Sequence, residues 1–174
     1  CSGYYKQPEL TAESFTAAGF FRTGDLGEQR ADGLLRITWR AKELFKTAKG
    51  KYVAPAPIEN LINAHPVVEM TMVSGVGQPA AYALVVLSES LRPRQRDASV
   101  RAQVQADLER LLAEVNRQVA DYEQLCMIVV AGEAWSIENG MLTPTMKIKR
   151  ARIEAAVEQQ VEIWYSSGKK VHWA

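Results

Sequence analysis

Between Ala98 and Val130 the chain reads ASVRAQVQADLERLLAEVNRQVADYEQLCMIVV. Val100, Val104, Leu108, Leu111, Val115, Val119 and Tyr122 recur every three or four residues, which is the period of an amphipathic helix, and Asp97 and Ser99 stand where either can cap it. The run Leu125 to Val130 then drops that period and has strand character. One long helix feeding a buried strand is thus the frame into which the neighbouring segments must fit.

Working outward toward the N-terminus, Val67 to Val76 and Ala81 to Leu87 read as two strands joined through Gly75, Gly77 and Pro79, an antiparallel pair. Ahead of them, Pro55 and Pro57 suit a first helical turn, where a missing N–H costs nothing. Ile58, Leu61 and Ile62 then mark one face up to His65-Pro66. Toward the C-terminus, a turn around Glu138-Asn139-Gly140 leads through Leu142-Thr143-Pro144-Thr145 to a basic patch of Lys147, Lys149, Arg150 and Arg152. A final helix is expected from near Arg150 to Tyr165, with Ile153, Val157, Val161 and Trp164 on its face. From about residue 41 the order is helix, strand, strand, long helix, strand, helix: an α+β domain with a small, mostly antiparallel sheet flanked by helices.

The stretch from Ser2 to Trp39 is different. Gly19, Gly24, Gly27 and Gly33 punctuate it, and short strands and turns are expected, with Leu34, Leu35, Ile37 and Trp39 forming a strand after Asp32-Gly33 that pairs with Asp25 to Glu28. A basic loop follows, Arg40 to Lys51, with a single acid, Glu43.

Composition sets the outer bounds. Over 174 residues, 47% hydrophobic content supplies a core, and a net charge of +1 argues against a surface built wholly for nucleic acid. Cys1 and Cys126 are too few and too far apart for a disulfide framework or a metal-ligand cluster, which fits a reducing compartment. The longest apolar runs fall well short of the roughly 18 residues of a membrane helix. The opening Cys-Ser-Gly-Tyr-Tyr reads like the middle of a longer polypeptide.

Three places could carry chemistry. Asp25, in the glycine-bracketed Phe21-Arg22-Thr23-Gly24-Asp25-Leu26-Gly27, could accept both vicinal hydroxyls of a ribose; an ordinary turn aspartate is the plain alternative. The basic loop Arg40 to Lys51 could hold phosphate through charge-assisted hydrogen bonds, or be a solvated loop. Lys147, after two hydroxyl residues and a proline, could stabilise developing negative charge, or be a surface lysine. His65 before Pro66 reads as a residue interacting with terminal carbonyls, and His172 lies in the tail. No Ser-His-Asp order and no Gly-x-x-x-x-Gly-Lys phosphate loop is present.

Taken in order, these segments resemble the carboxy-terminal part of the adenylate-forming enzymes, specifically the long-chain acyl-CoA synthetases. The resemblance runs from Gly3 to about Trp164. The family's Tyr/Phe-Arg-Thr-Gly-Asp-Leu element appears as Phe21 to Leu26, and its Gly-Arg-x-Lys/Asp-Glu element as Trp39-Arg40-Ala41-Lys42-Glu43. Its Gly-Lys-x-Val-x-Pro-x-x-Ile-Glu element appears as Gly50 to Glu59, and its Glu-Asn-Gly-x-Leu-Thr-Pro-Thr-x-Lys element as Glu138 to Lys147. Trp39, Lys49 and Pro57 depart from the commonest residues at their positions.

The resemblance implies residues 1–40 as the β-rich end of a large N-terminal domain and residues 41–174 as the mobile C-terminal lid. It implies a reaction in which a fatty acid and ATP, with Mg2+, give an acyl-adenylate, from which CoA takes the acyl group. In that reaction Asp25 and Arg40 bind nucleotide and Lys42 is the hinge. Lys147 is the catalytic lysine, bridging the attacking carboxylate, the phosphate and the bridging oxygen. Gly50, Lys51 and Tyr52 line the CoA channel. No metal site and no ligand held by these residues alone is implied. The expected partners are the large domain and the three small-molecule substrates, with no nucleic acid. The expected location is cytoplasmic, with peripheral membrane association of the parent allowed. These residues alone are expected to fold without catalysing. The alternatives are a fatty-acyl-AMP ligase, a carrier-protein-loading adenylation domain, or a non-catalytic binding domain.

Overall fold

The computed structural model describes residues 2–40 and 43–174. The chain divides into two compact units, one ending at Leu44 and the other running from Phe45 to Ala174.

The first unit holds helix α1 (Pro8–Ser14) and an antiparallel ribbon of β1 (Asp25–Gln29) and β2 (Leu35–Arg40). The ribbon is the expected one, entered from Asp32, whose carboxylate accepts the Leu34 N–H at 3.1 Å, and from Gly33 at φ +83°, a left-handed position that glycine takes without a Cβ clash. Helix α1 is not legible in the sequence. At seven residues it buries no side chain, so no apolar period marks it.

The second unit is built on a four-stranded sheet of order β5-β6-β7-β8: Val68–Ser74, Ala81–Leu87, Leu125–Val130 and Val171–Trp173. A two-stranded hairpin, β3 (Phe45–Lys46) with β4 (Tyr52–Val53), precedes helix α2 (Pro55–Asn63). Helices α3 (Ala98–Asn116) and α4 (Arg150–Ser167) carry the chain from β6 to β7 and from β7 to β8. The α+β class holds, and the pairings explain themselves. β5 and β6 join through a short turn and are antiparallel, whereas each helical crossover returns the chain in the same direction, so β6–β7 and β7–β8 are parallel. The four-stranded sheet is therefore mixed, with one antiparallel and two parallel pairings, while the small ribbons β1–β2 and β3–β4 are antiparallel.

Both faces of the sheet are covered. Alternate residues of β6 divide between two cores: Ala81, Ala83, Val85 and Leu87 pack with α2 and α3, and Tyr82, Leu84 and Val86 with α4. That is why β6 reads as an unbroken apolar run.

Four expectations change. Helix α3 stops at Asn116, short of Tyr122, because the Asn116 amide accepts the Leu125 N–H and donates to the Leu125 carbonyl, both at 2.8 Å, and so turns the chain into β7. Asp97 occupies the cap position of α3 without a side-chain capping bond and pairs with Arg94 at 3.2 Å instead. His172, expected in a tail, lies in β8; a three-residue strand is too short to show a period. His65 Nδ1 faces the Val67 N–H at 3.4 Å rather than terminal carbonyls.

Within β5, Thr71 is buried and its hydroxyl has no hydrogen-bond partner. An unmet buried hydroxyl is costly, so Thr71→Val is expected to raise stability by about 1 kcal/mol. Urea unfolding should show a higher midpoint at unchanged slope. A lower midpoint would mean that the hydroxyl is satisfied after all.

Candidate functional site

Asp25 opens β1 and Arg40 closes β2, and the register makes them direct cross-strand partners. The structure thus brings together, on one rung, two residues 15 positions apart that the sequence could only place in separate elements. Gly24, at φ +77°, supplies the left-handed turn into the strand, and the Asp25 N–H donates to Thr23 Oγ1 at 3.1 Å. A carboxylate presented at a strand end beside a glycine turn can accept hydrogen bonds from a pair of hydroxyls. Lys42 lies outside the described residues.

Gly50, Lys51 and Tyr52 share one hairpin tip. The turn Thr47 to Gly50 is closed by the Gly50 N–H donating to the Thr47 carbonyl at 2.9 Å, and the Thr47 N–H donates to the Lys51 carbonyl at 2.9 Å. Gly50 sits at φ +77°, and a Cβ at this position would meet nothing closer than the Lys46 side chain at 3.8 Å, so its conformation rather than space calls for glycine. The tip is wet and basic. Lys46 stands 5.6 Å over the Tyr52 ring, and Lys51 stands 5.9 Å over the ring of Tyr122. Its base is dry, because Phe45 and Val53 are buried. The tip also leans on the β5–β6 turn, where the Ala48 N–H donates to the Gln78 carbonyl and the Gly77 N–H to that of Lys46. Gly75 permits this approach: a Cβ there would lie 2.9 Å from Ala81 Cα and 3.1 Å from the Phe45 ring.

Lys147 stands on a second exposed loop. Leu142 and Ile148 form an antiparallel bridge; Leu142 is fully buried and Ile148 packs on the same core. Lys147, next to Ile148, is exposed. Between them the loop meets its own hydrogen-bonding demand. The Thr143 N–H donates to the Lys147 carbonyl at 2.8 Å, and the Met146 N–H to the Thr143 carbonyl at 2.9 Å. The Lys147 N–H donates to Thr143 Oγ1 at 3.1 Å, and the two threonine hydroxyls meet at 3.0 Å. The hydroxyl residues around Pro144 therefore build a preformed platform that presents the lysine ammonium to solvent.

Arg150 departs from the sequence reading, which groups it with the surface lysines. It forms a bidentate ion pair with Glu59 of α2, at 2.6 and 3.0 Å. Only the closed fold reveals this pair, since the partners are 91 residues apart.

A cleft of about 390 Å³ is lined by Ser74, Tyr82, Glu154 and Glu158 and holds none of the expected site residues. Burial pushes the Tyr82 hydroxyl up to about 12 and that of Tyr165 higher still, so both stay neutral hydrogen-bonding groups at neutral pH. The Tyr165 hydroxyl donates to the Ala80 carbonyl. No helix among the described residues is long and apolar enough to cross a membrane.

Comparison with known proteins agrees with this fold. The family model of the AMP-binding enzyme C-terminal domain matches residues 43–169. The chain is 32% identical over 177 residues to the long-chain-fatty-acid–CoA ligase FadD15 of Mycobacterium tuberculosis, an alignment that takes in 95% of this chain and 29% of the relative. Among solved structures it superposes on the adenylation domain of a carboxylate reductase from Mycobacterium chelonae with a TM-score of 0.78 at 26% identity, over 94% of this chain and 26% of that one. It also superposes on the corresponding domain from Segniliparus rugosus, in complex with AMP and a co-purified carboxylic acid, with a TM-score of 0.77 at 28% identity, over 95% and 26% of the two chains.

Proposed function

The chain belongs to the AMP-binding enzyme C-terminal domain family, and from that premise we propose that it serves as the lysine-bearing lid of a long-chain fatty-acid–CoA ligase. It spans about 29% of the length of the FadD15 ligase, and the reaction we assign is that of a longer chain. In the first step a fatty-acid carboxylate oxygen attacks the α-phosphorus of MgATP, and pyrophosphate leaves with the electron pair of the broken P–O bond. In the second, the CoA thiol attacks the acyl carbon, its proton goes to solvent or base, and AMP leaves.

The observation that carries this reading is the presence, on one compact unit, of two separately anchored basic loops, at Lys46 to Tyr52 and at Leu142 to Ile148. The first step opposes two anions, so an ammonium at the attacking carboxylate and the phosphate lowers its barrier; Lys147 supplies that charge. The second step needs a passage for a thiol, and the glycine-containing tip Gly50-Lys51-Tyr52 borders it. Asp25 accepts from the ribose hydroxyls and Arg40, on the same rung, meets the phosphate. A division of the chain between Leu44 and Phe45 supports Lys42 as the point about which the lid, from residue 41 on, turns against the unit formed by residues 1–40.

The test is product analysis. The intact enzyme is expected to convert a long-chain fatty acid, ATP and CoA to acyl-CoA, AMP and pyrophosphate, and the 174 residues alone to do none of this. The likeness to carboxylate reductase adenylation domains, one of them solved as an A-PCP didomain, favours a second reading, in which the acyl group passes to a carrier protein. Acyl-adenylate without acyl-CoA would replace the first reading by that one.

A further inference from the structure

The two basic loops are distant in sequence, yet the elements that follow them are tied at a single, partly buried point. Glu59 lies in the second turn of α2, which starts at Pro55 just beyond the Lys51 tip, and Arg150 is the first residue of α4, three positions beyond Lys147. Glu59 Oε1 accepts the Val73 N–H at 2.8 Å and Arg150 Nη1 at 2.6 Å, Oε2 accepts Arg150 Nη2 at 3.0 Å, and Nη1 also donates to the Val73 carbonyl at 3.1 Å. The Glu59 side chain is 10% exposed and that of Arg150 24%.

Val73 belongs to β5, the edge strand of the four-stranded sheet. Its N–H and carbonyl both point away from β6, and the ion pair takes both. Since α2 packs in one core and α4 in the other, the pair passes around the open edge of the sheet and joins the helices on its two faces. It also closes an edge that would otherwise offer unpaired backbone groups.

An ion pair largely withdrawn from water, as this one is, adds little net stability compared with apolar residues of the same size, because desolvation offsets its attraction. What a bidentate arginine–carboxylate pair does impose is orientation. We propose that Glu59 and Arg150 are positioning residues that hold the Lys51 and Lys147 loops in fixed relation, so that one rigid rotation of the lid withdraws one loop as it inserts the other. This rests on the function proposed for the two loops.

The test has two arms, chosen so that the coupling and the enzymatic reading fail separately. In the first, amide hydrogen exchange is followed in the 174-residue chain carrying Arg150→Gln. The amides of Thr47 and Gly50 in one loop and of Lys147 and Lys149 in the other are expected to exchange about tenfold faster together, while those of β6 and β7 stay protected. Acceleration of the Lys147 loop alone, or a uniform acceleration of the whole unit, would overturn the proposal. Should Arg150→Gln fail to fold, Glu59→Gln keeps an acceptor for the Val73 N–H at nearly the same volume, and the same two outcomes decide.

In the second arm, Arg150→Gln in the intact enzyme is expected to lower kcat of adenylation and of thioester formation by similar factors, about tenfold each, with KM for ATP and fatty acid unchanged. Arg150→Lys, which keeps the charge and loses the fork, should recover part of both. Full kcat in both half-reactions below the unfolding temperature would leave the pair a purely structural contact and sink its positioning role. If the intact enzyme makes neither adenylate nor thioester, the enzymatic reading falls and the exchange arm still decides the coupling.

Discussion

Replacing Lys147 by alanine in the intact enzyme is expected to reduce adenylation by about a hundredfold to a thousandfold, the usual effect of removing one preorganised electrostatic donor. Thioester formation from supplied acyl-adenylate should be nearly unchanged. The split follows from the role proposed for the ammonium, and the loop should survive its loss. The loop that carries Lys147 keeps its shape through Thr143 and through the buried Leu142–Ile148 bridge, none of which involves the ammonium. Alanine there removes a charge and leaves the platform standing. Acid-dependent exchange of pyrophosphate into ATP measures the first step, and acyl transfer from synthetic acyl-adenylate to CoA measures the second. Equal loss of both would take Lys147 out of the role proposed for it.

Dividing the chain between Leu44 and Phe45 is expected to give two very different polypeptides. The part from Phe45 onward should unfold cooperatively at the same temperature as the whole chain, because every buried hydrophobic side chain among the described residues lies at or beyond Phe45. The part ending at Leu44 should have no cooperative transition. It leaves Tyr5 86%, Phe20 73%, Leu34 62%, Leu35 70% and Ile37 57% exposed, and a piece of this size with no buried apolar residue among the side chains described falls below what a chain can stabilise without a partner surface. Thermal unfolding followed by circular dichroism distinguishes these outcomes. A sharp transition in the shorter piece would mean that its ribbon, β1 with β2, is self-sufficient.

These two results separate the parts of the molecule that local sequence can describe from those it cannot. Helices α2, α3 and α4 and strands β5, β6 and β7 are legible because each is long enough for its apolar residues to repeat, and because Pro55 and the residues around Gly75 and Pro79 bound them. The loops of the site are legible for a related reason. Gly50 takes a left-handed φ of +77° that glycine adopts most readily, and Thr143 and Thr145 carry hydroxyls that bond within their own loop, so both stretches read as loops.

What escapes is short or non-local. Helix α1 and strand β8 have too few residues for a period to appear. The end of α3 is set by the Asn116 amide reaching Leu125, a bond across a turn that no helical propensity anticipates. Arg150 looks like its lysine neighbours because charge alone cannot say whether a side chain faces water or a carboxylate 91 residues away.

By itself, then, the sequence determined the class of the fold and the order of its main elements, and it singled out Asp25, Arg40, Lys51 and Lys147 as candidates, because residue type and short-range spacing act through the local backbone. The tertiary structure alone decided which backbone positions pair and which elements are tied together. Asp25 and Arg40 share a rung through the register of β1 and β2, and the two lysine loops are tied by one ion pair wrapped around the edge of β5. Such meetings depend on how strands pair and helices cross, and those relations exist only once the chain has closed on itself.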